Sequence, residues 1–313
     1  MDFRVCGDCG AIASGHETTC GQCGGEIANA DAAIFIGRTF GKYELLDVIG
    51  RGGMGVVLKG RHRTLDTLVA VKLLLPGLGD PAFAERFRRE ARLLASLHHP
   101  NIVEVHDFDV APGGLPYYVM EYLHGQSLAA ELAAAPQGLG WPRVLAIARR
   151  VADALEVAHE HGIVHRDLKP ENIFIARDGS REHIKLLDFG IARPVDEDDP
   201  GASLTRTGHV IGTPRYFAPE QFYGYPVTPA TDQYALALVV AEMASGQPLR
   251  SAQSMSEVTL DGAGRLADTL APRLPADTPP AIMAALGRAL AIDPVQRFGS
   301  VAGFAAALTA AAP

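Results

Sequence analysis

The stretch His165-Arg-Asp167-Leu-Lys169-Pro-Glu-Asn172 is the most informative part of this 313-residue chain. It follows a segment over 141–159 in which apolar residues recur every three or four positions, a spacing that predicts an amphipathic helix. The stretch itself places a carboxylate (Asp167), an ammonium group (Lys169) and a carboxamide (Asn172) close together. Such groups can accept a proton, neutralise an anion and ligate a metal ion. The sequence therefore predicts a polar site directly after this helix.

Four other short motifs occur along the same chain. They are Gly50-Arg-Gly52-Gly-Met-Gly55-Val-Val, Val69-Ala-Val-Lys72, Asp188-Phe-Gly190 and Ala218-Pro-Glu220. Each is weak alone, because short motifs recur by chance. All five together, in this order, match the signature set of protein kinases. Over residues 37–309 the chain therefore resembles the eukaryotic-like Ser/Thr protein kinases of bacteria.

The resemblance implies an α+β, two-lobed protein kinase fold over 37–309. A β-rich small lobe would extend to about residue 122 and a larger helical lobe would cover 123–309, with ATP in the cleft between them. From Tyr43 onward, the alternating pattern and the glycine run favour strand, glycine-rich turn and strand, whereas a Rossmann loop leads from a strand into a helix. A simple glycine-rich hairpin remains the alternative for this segment taken alone. Further on, an apolar run over 234–241 predicts a buried helix.

The resemblance also implies an ATP site. Glycines 50, 52 and 55 would let the backbone lie over the phosphates without a side-chain clash. Lys72 lies in an apolar strand and would hold the α- and β-phosphates, with Glu90 as the counter-charge that fixes its position. The residues assigned to ATP binding are Ile49, Gly50, Arg51, Gly52, Gly53, Met54, Gly55, Val57, Ala70, Lys72, Met120, Glu121, Leu123 and Phe174.

The chemical step is assigned in the same way. Phosphoryl transfer requires positioning and charge stabilisation more than covalent chemistry by the protein. Asp167 would orient the attacking hydroxyl group and accept its proton, and Lys169 would neutralise charge on the γ-phosphate. Thr213 would bridge these two side chains by hydrogen bonds. Asn172 and Asp188 would ligate two Mg²⁺ ions that bridge the phosphates.

Other residues have supporting roles by family pattern. Asp232 would accept hydrogen bonds from the backbone of the catalytic loop, which is the loop that contains Asp167. Glu220 and Arg297 would form an ion pair that anchors the activation segment, which leads from Asp188 to Glu220. His165 is interpreted as a packing residue, and His159 and His161 lie at a polar helix end, so none of the three is expected to bind a metal ion.

Substrate class and regulation also follow from the resemblance. Lys169, two positions after the catalytic aspartate, together with Gly212-Thr213-Pro, is typical of Ser/Thr kinases, so we expect protein Ser and Thr hydroxyls as substrates. Thr205 and Thr207 lie in a polar, acidic segment where relatives carry activating phosphothreonines. We expect both to be autophosphorylated, and a kinase-domain dimer would allow transfer between two copies. The alternative is that both are ordinary loop hydroxyls.

All four cysteines lie near the start of the chain, as Cys6-Gly-Asp-Cys9 and Cys20-Gly-Gln-Cys23. Two residues between sulfurs let a tight turn direct both thiolates at one ion, so the two pairs predict a structural, tetrahedral Zn²⁺ site. The segment resembles short bacterial zinc ribbons. Residues 1–25 would form a docking or regulatory module, joined to the rest by a linker over 26–36. Two disulfides or idle thiols are the alternative, although disulfides are disfavoured in a reducing compartment.

Composition narrows the partners. A formal net charge of −8 argues against a nucleic-acid binder, because such proteins neutralise phosphates with basic residues. No apolar stretch approaches the ~20 residues that span a bilayer. The N-terminus has no basic segment followed by an apolar core, so no signal peptide is expected. We therefore expect a cytoplasmic protein without a membrane segment.

Three functional hypotheses follow. The first is an active Mg·ATP-dependent Ser/Thr protein kinase. The second is a nucleotide-binding pseudokinase scaffold that signals through the zinc head, and the intact Lys72, Asp167, Asn172 and Asp188 argue against it. The third is a small-molecule kinase, which normally lacks the Ala-Pro-Glu segment and its threonines.

Overall fold

The computed structural model describes residues 3–6, 12–13, 18–21, 23–30, 32–52, 55–74, 81–111, 114–189, 214–250 and 270–311. The chain divides into two compact units. The first comprises Met1–His98 and Val103–Leu123, and the second comprises His99–Ile102 and His124–Pro313. The chain thus passes finally into the second unit after Leu123, next to the point where the small lobe was expected to end.

The start of the chain contains a small antiparallel sheet. Its strands are β1 Phe3–Cys6, β2 Ile12–Ala13 and β3 Ile27–Ala30, with β1 in the centre. The side chains of Cys6, Cys20 and Ile27 form a buried cluster beside this sheet. Cys6 ends a strand, and its neighbours in the cluster come from a later segment, so pairing of β1 with β3 brings distant cysteines together.

Regular structure occurs within the segment 26–36, which was expected to be a linker. The segment Ile27–Ala30 pairs with β1 along its whole length, and the 3-10 helix Ala32–Phe35 follows it. The Phe35 ring is buried and meets the Phe40 ring edge-on, with 5.7 Å between ring centroids. The apolar side chains of Ile27 and Phe35 are both buried. Their burial removes apolar surface from water and so stabilises this strand and this 3-10 helix.

A six-stranded antiparallel sheet forms most of the first unit. Its strands are β4 Thr39–Phe40, β5 Tyr43–Gly52, β6 Gly55–His62, β7 Leu68–Leu74, β8 Val105–Ala111 and β9 Leu115–Glu121. Their spatial order is β4-β5-β6-β7-β9-β8. Tyr43 and Leu45 are buried while Glu44 between them is exposed, because successive side chains of a strand point to opposite faces. The buried face forms one apolar core that also includes Phe35 and Phe40.

Helix α1, Pro81–Ser96, packs on the same unit. Phe87, Ala91 and Leu94 are buried, and their spacing of three or four residues places them on one face of the helix. The Phe87 ring centroid lies 5.2 Å from that of Tyr118 on β9. Aromatic contact therefore joins this helix to the sheet.

The second unit is mainly helical. Its small sheet has the order β10-β11-β12, with strands Gly125–Ser127, Ile173–Asp178 and Arg181–Leu186. Its described helices are α2 Leu128–Ala133, α3 Trp141–Glu160, α4 Pro219–Phe222, α5 Pro229–Ser245, α6 Pro280–Ala289 and α7 Val301–Ala310.

Two predicted helices are confirmed. In α3 the expected apolar stripe is buried, from Val144 to Ala158. In α5 every residue from Thr231 to Ala244 is buried, and the helix ends at Gly246, whose φ of 71° suits a glycine. Across the described ranges, no helix has both the length and the apolar character needed to cross a membrane.

Candidate active site

The loop that follows α3 brings three predicted residues together. The Lys169 Nζ atom lies 3.0 Å from Asp167 Oδ2. The Asn172 Nδ2 atom donates to the backbone oxygen of Asp167 at 2.8 Å and lies 3.5 Å from its Oδ2. The side chains of Asp167 and Lys169 each retain 17% of their accessible surface. A carboxylate that remains reachable, next to a fixed ammonium group, is suited to accept a proton while the ammonium group neutralises an incoming anion.

Asp232 of α5 holds the backbone of this loop. Its Oδ2 accepts from the His165 N–H at 2.7 Å, and its Oδ1 accepts from the Arg166 N–H at 2.9 Å. The Asp232 side chain is 1% exposed, and the His159 Nε2 atom also lies 2.7 Å from its Oδ2. The buried carboxylate is thus satisfied by three donors, as a buried charge requires. The expected role of Asp232 is present in the structure.

His159 lies in the last turn of α3, but its side chain is largely removed from solvent. Its side chain is only 7% exposed and contacts Asp232. His159 lies four residues after the buried Leu155, so it falls on the same face of α3. That helical spacing is the signal by which the sequence could have placed His159 inside.

His165 is a buried packing residue, as expected. Its Nδ1 atom accepts from the Asp167 N–H at 3.3 Å, so its Nε2 atom carries the proton and donates to the Leu187 oxygen at 2.9 Å. Burial lowers the pKa of His165, which favours this neutral form. The His165 ring also packs on the Phe189 ring, with 4.6 Å between centroids. The catalytic loop is therefore joined to the segment that carries Asp188.

The two expected magnesium ligands lie on adjoining segments. The Leu187 N–H donates to the backbone oxygen of Asn172 at 2.8 Å, which links the residue before Asp188 to Asn172. Asp188 has a φ of 47°, a left-handed conformation that is unusual for a residue with a side chain. Such strain persists only where the surroundings impose it, and it clusters at functional sites.

The nucleotide-side residues, which are the residues of the first unit expected to bind ATP, are aligned by strand pairing. Gly50 pairs with Val57, and Val57 pairs with Lys72 on the next strand. The Lys72 Nζ atom lies 5.7 Å from the Tyr118 ring centroid. Sheet pairing therefore aligns a glycine, an apolar residue and a lysine across three strands.

The other nucleotide-side residues extend this arrangement. Ala70 of β7 pairs with Met120 of β9, and the preceding residue, Val69, pairs with Glu121. A Cβ atom on Gly55 would lie 2.1 Å from the Leu73 backbone oxygen, so only glycine fits there. The remaining predicted contacts Ile49, Arg51, Gly52, Leu123 and Phe174 lie at the end of β5, beyond β9 and in β11.

Several predicted site residues lie outside the described part of the chain. The described residues do not include Gly53, Met54, Cys9, Thr205, Thr207 or Thr213. The backbone of Glu90 lies in α1, but its side chain does not belong to the described part of the structure.

The ion pair of Glu220 and Arg297 is present and buried. Two parallel bonds of 2.8 Å join the guanidinium group to the carboxylate, and Thr231 Oγ1 donates to Glu220 Oε1 at 2.8 Å. The Arg297 guanidinium group also lies over the Tyr234 ring, 4.8 Å from its centroid. A bidentate arrangement with further partners compensates for the loss of water around both charges.

Three cysteine thiols of the head converge. The sulfur atoms of Cys6, Cys20 and Cys23 lie within 4.8 Å of one another, and those of Cys6 and Cys23 are 3.4 Å apart. Cys6 and Cys20 are buried and Cys23 is exposed. Three sulfur atoms this close can serve as ligands of a single metal ion.

Comparison with known proteins agrees with this geometry. The family described as "Protein kinase domain" matches residues 43–307. The chain is 38% identical over 287 residues to Serine/threonine-protein kinase Pkn1 of Myxococcus xanthus, covering 88% of this chain and 39% of that protein. It is 39% identical over 284 residues to Serine/threonine-protein kinase PknD of Mycobacterium tuberculosis, covering 89% and 41% respectively. The chain thus spans about two fifths of the length of these relatives.

Solved structures lead to the same family. The chain is 32% identical in sequence to the Mycobacterium tuberculosis PknI kinase domain, whose crystal structure matches it with a TM-score of 0.66. The match covers 90% of this chain and 100% of that domain. The expected two-lobed kinase fold is therefore confirmed. With its catalytic loop, its glycine-containing strands and these relatives, the chain belongs to the protein kinase domain family.

Proposed function

We propose that this chain is a Ser/Thr protein kinase that transfers the γ-phosphoryl group of Mg·ATP to Ser and Thr hydroxyl groups of proteins. The observation that carries the proposal is the convergence of Asp167, Lys169 and Asn172 on one loop. The relatives Pkn1 and PknD are named serine/threonine-protein kinases, which supports the substrate class.

In this proposal the chain's own residues position the reactants. Asp167 orients the substrate hydroxyl group and accepts its proton at a carboxylate oxygen. Lys169, 3.0 Å from that carboxylate, neutralises charge on the transferred phosphoryl group. Thr213 would hold these two side chains in position.

The residues present fit bound magnesium. The Asn172 amide nitrogen donates to Asp167, so its oxygen is the atom that can ligate a cation. Together with the Asp188 carboxylate it supplies the oxygen ligands that Mg²⁺ prefers. When bound, magnesium would supply positive charge that neutralises the phosphates.

The strand register of the first unit supports an ATP site there. Glycines 50, 52 and 55 would let the backbone approach the phosphates, and Lys72 would hold them with Glu90 as its partner. Val57 and Ala70, aligned by sheet pairing, would cover the adenine ring. The other proposed adenine contacts are Met120, Glu121, Leu123 and Phe174.

Transfer of radiolabelled phosphate from ATP to a generic basic protein tests the proposal. The wild type should label the protein, and Asp167→Asn should lose most of this activity because it lacks the proton acceptor. Absence of labelling by the wild type would favour the pseudokinase scaffold. Labelling of sugars or antibiotics in place of proteins would favour a small-molecule kinase.

Activation by autophosphorylation is part of the proposal. Thr205 and Thr207 would be modified, and a dimer of kinase domains would allow one copy to modify another. Phosphopeptide mapping of the wild type beside Asp167→Asn tests this. Unmodified threonines in both proteins would end the idea.

We further propose that Cys6, Cys9, Cys20 and Cys23 bind a structural Zn²⁺ in a head over residues 1–25. The mutual distances of three of the sulfur atoms support it. A thiolate site needs reduced cysteines, which favours a reducing compartment such as the cytoplasm. Metal analysis should find one zinc per chain, and Cys6→Ser with Cys20→Ser should abolish it. A metal content unchanged by this double substitution would contradict the site.

A further inference from the structure

The peptide unit between Arg166 and Asp167 lies in an unusual environment. Arg166 has a φ of 66°, in the left-handed region that residues with a Cβ atom rarely adopt. This conformation costs free energy, so the surrounding contacts must impose it. Because Asp167 follows directly, the orientation of this peptide unit decides where the Asp167 side chain begins.

Three side chains hold this backbone by its polar groups. Asp232 accepts from the Arg166 N–H at 2.9 Å, and His165 Nδ1 accepts from the Asp167 N–H at 3.3 Å. The carbonyl oxygen of Arg166 accepts from Gln221 Nε2 at 3.0 Å. The peptide that carries Asp167 is therefore held at its N–H by His165 and at its C=O by Gln221.

Gln221 is itself held in one orientation. Its Oε1 atom accepts from the Ala218 N–H at 3.0 Å, so its amide nitrogen must face Arg166. The residue is 9% exposed and belongs to α4, directly after Ala218-Pro-Glu220. Glu220 of the same short helix is bound to Arg297, which anchors this helix to the unit.

We infer that Gln221 is a positioning residue that fixes the peptide before Asp167 and thereby aims the proposed catalytic carboxylate. The inference rests on the proposed kinase activity. Gln221 donates to the backbone and acts on the reaction only through Asp167.

Gln221→Glu tests this inference sharply. Glutamate has the same length and keeps the oxygen that accepts from Ala218, but an ionised carboxylate cannot donate to the Arg166 oxygen. We expect kcat for transfer to a generic basic protein to fall about 10-fold, equivalent to about 1.4 kcal/mol of activation free energy. The KM for ATP should change less than twofold, because the nucleotide-side residues of the first unit are untouched.

Gln233 provides a matched control. It is also a buried glutamine, and it donates to the Phe298 and Ser300 oxygens and accepts from the Phe298 N–H. Gln233→Glu should lower the melting temperature but leave kcat per folded molecule within twofold. A purely structural role of Gln221 would give the same pattern for both variants.

A second comparison separates action through Asp167 from other effects. In an Asp167→Asn background, Gln221→Glu should lower the residual rate less than it lowers the wild-type rate, because both changes affect one carboxylate. If Gln221→Glu does not fold, Gln221→Met, which is uncharged and of similar length, carries the same expectations.

The outcomes distinguish this inference from the proposed function. A wild type without any transfer would overturn the kinase proposal itself. An active wild type with an equally active, folded Gln221→Glu variant would overturn the inference alone. A selective fall in kcat, absent from Gln233→Glu, would support it.

Discussion

The nucleotide-side strands and the catalytic loop are positioned in different ways. In the first unit, Gly50, Val57 and Lys72 are neighbours because antiparallel strands are in register. In the second unit, the segment 163–169 has no regular structure and is held by side chains from helices. Many backbone hydrogen bonds hold each residue of a sheet in place, whereas only a few side chains hold this loop. Single substitutions should therefore damage the loop more than the sheet.

Asp232→Ala should have the largest effect. The substitution leaves two backbone N–H groups and His159 without their acceptor in a buried site. We expect the free energy of unfolding to fall by about 3–5 kcal/mol, as for a broken buried charge interaction. Urea denaturation measures this. Asp153→Ala, at a partly exposed position of α3, should change stability by no more than about 0.5 kcal/mol. Similar values for both variants would contradict the special role of Asp232.

Gly55→Ala tests the sheet at a position that has no room for a side chain. The added Cβ would lie 2.1 Å from the Leu73 oxygen, so the backbone of two strands must move. We expect a loss of about 1–3 kcal/mol, the usual cost of overpacking. Gly50→Ala is the matched control, because its Cβ would lie 3.5 Å from Val57, an ordinary contact. A Gly50→Ala variant as unstable as Gly55→Ala would show that close packing is not the cause.

Acidification should weaken the loop through His165. Burial lowers its pKa below the ordinary 6.5, so at pH values just below 6.5 the folded state binds fewer protons than the unfolded state. The free energy of unfolding should therefore fall as the pH drops from about 7.5 to about 5.5. His165→Phe, which cannot titrate, should show a smaller fall. His99, whose pKa burial also lowers, is present in both proteins, so the difference reports His165. Equal slopes would refute this.

Arg143→Met should have the smallest effect. Arg143 of α3 bonds to Glu131 at 3.0 Å and to Glu182, but all three side chains are partly exposed. Water and salt screen such pairs, so we expect a loss of about 0.2–1 kcal/mol by urea denaturation. A loss as large as that of Asp232→Ala would mean that surface contacts control the second unit as strongly as buried ones.

Local patterns in the sequence were sufficient for part of this architecture. Periodicity located α3 and the buried α5, and the family motif placed Asp167, Lys169 and Asn172 together. The role of Asp232 and the pair of Glu220 with Arg297 followed from motif positions. Each of these has a signal that is read over a few neighbouring residues or in a known motif.

The rest depended on contacts between distant parts of the chain. His159 reaches Asp232, 73 residues later, and Gln221 reaches the backbone of Arg166, 55 residues earlier. A polar residue in a single sequence does not reveal whether a distant partner will satisfy it in the interior. The strand Ile27–Ala30 and the 3-10 helix Ala32–Phe35 lacked a clear sequence signal for a related reason, because Ile27 and Phe35 find apolar partners only after folding.

The buried ring of Phe35 has a practical consequence for shortened versions of this protein. A truncation beginning at residue 37, where the family resemblance starts, would remove that ring and leave a void beside Phe40. Such a fragment would be less stable, by about 3–5 kcal/mol for a lost phenylalanine ring. Poor catalysis by it would then reflect a weakened small lobe although every reacting group is retained. Fragments that begin before Ala32 avoid this confusion.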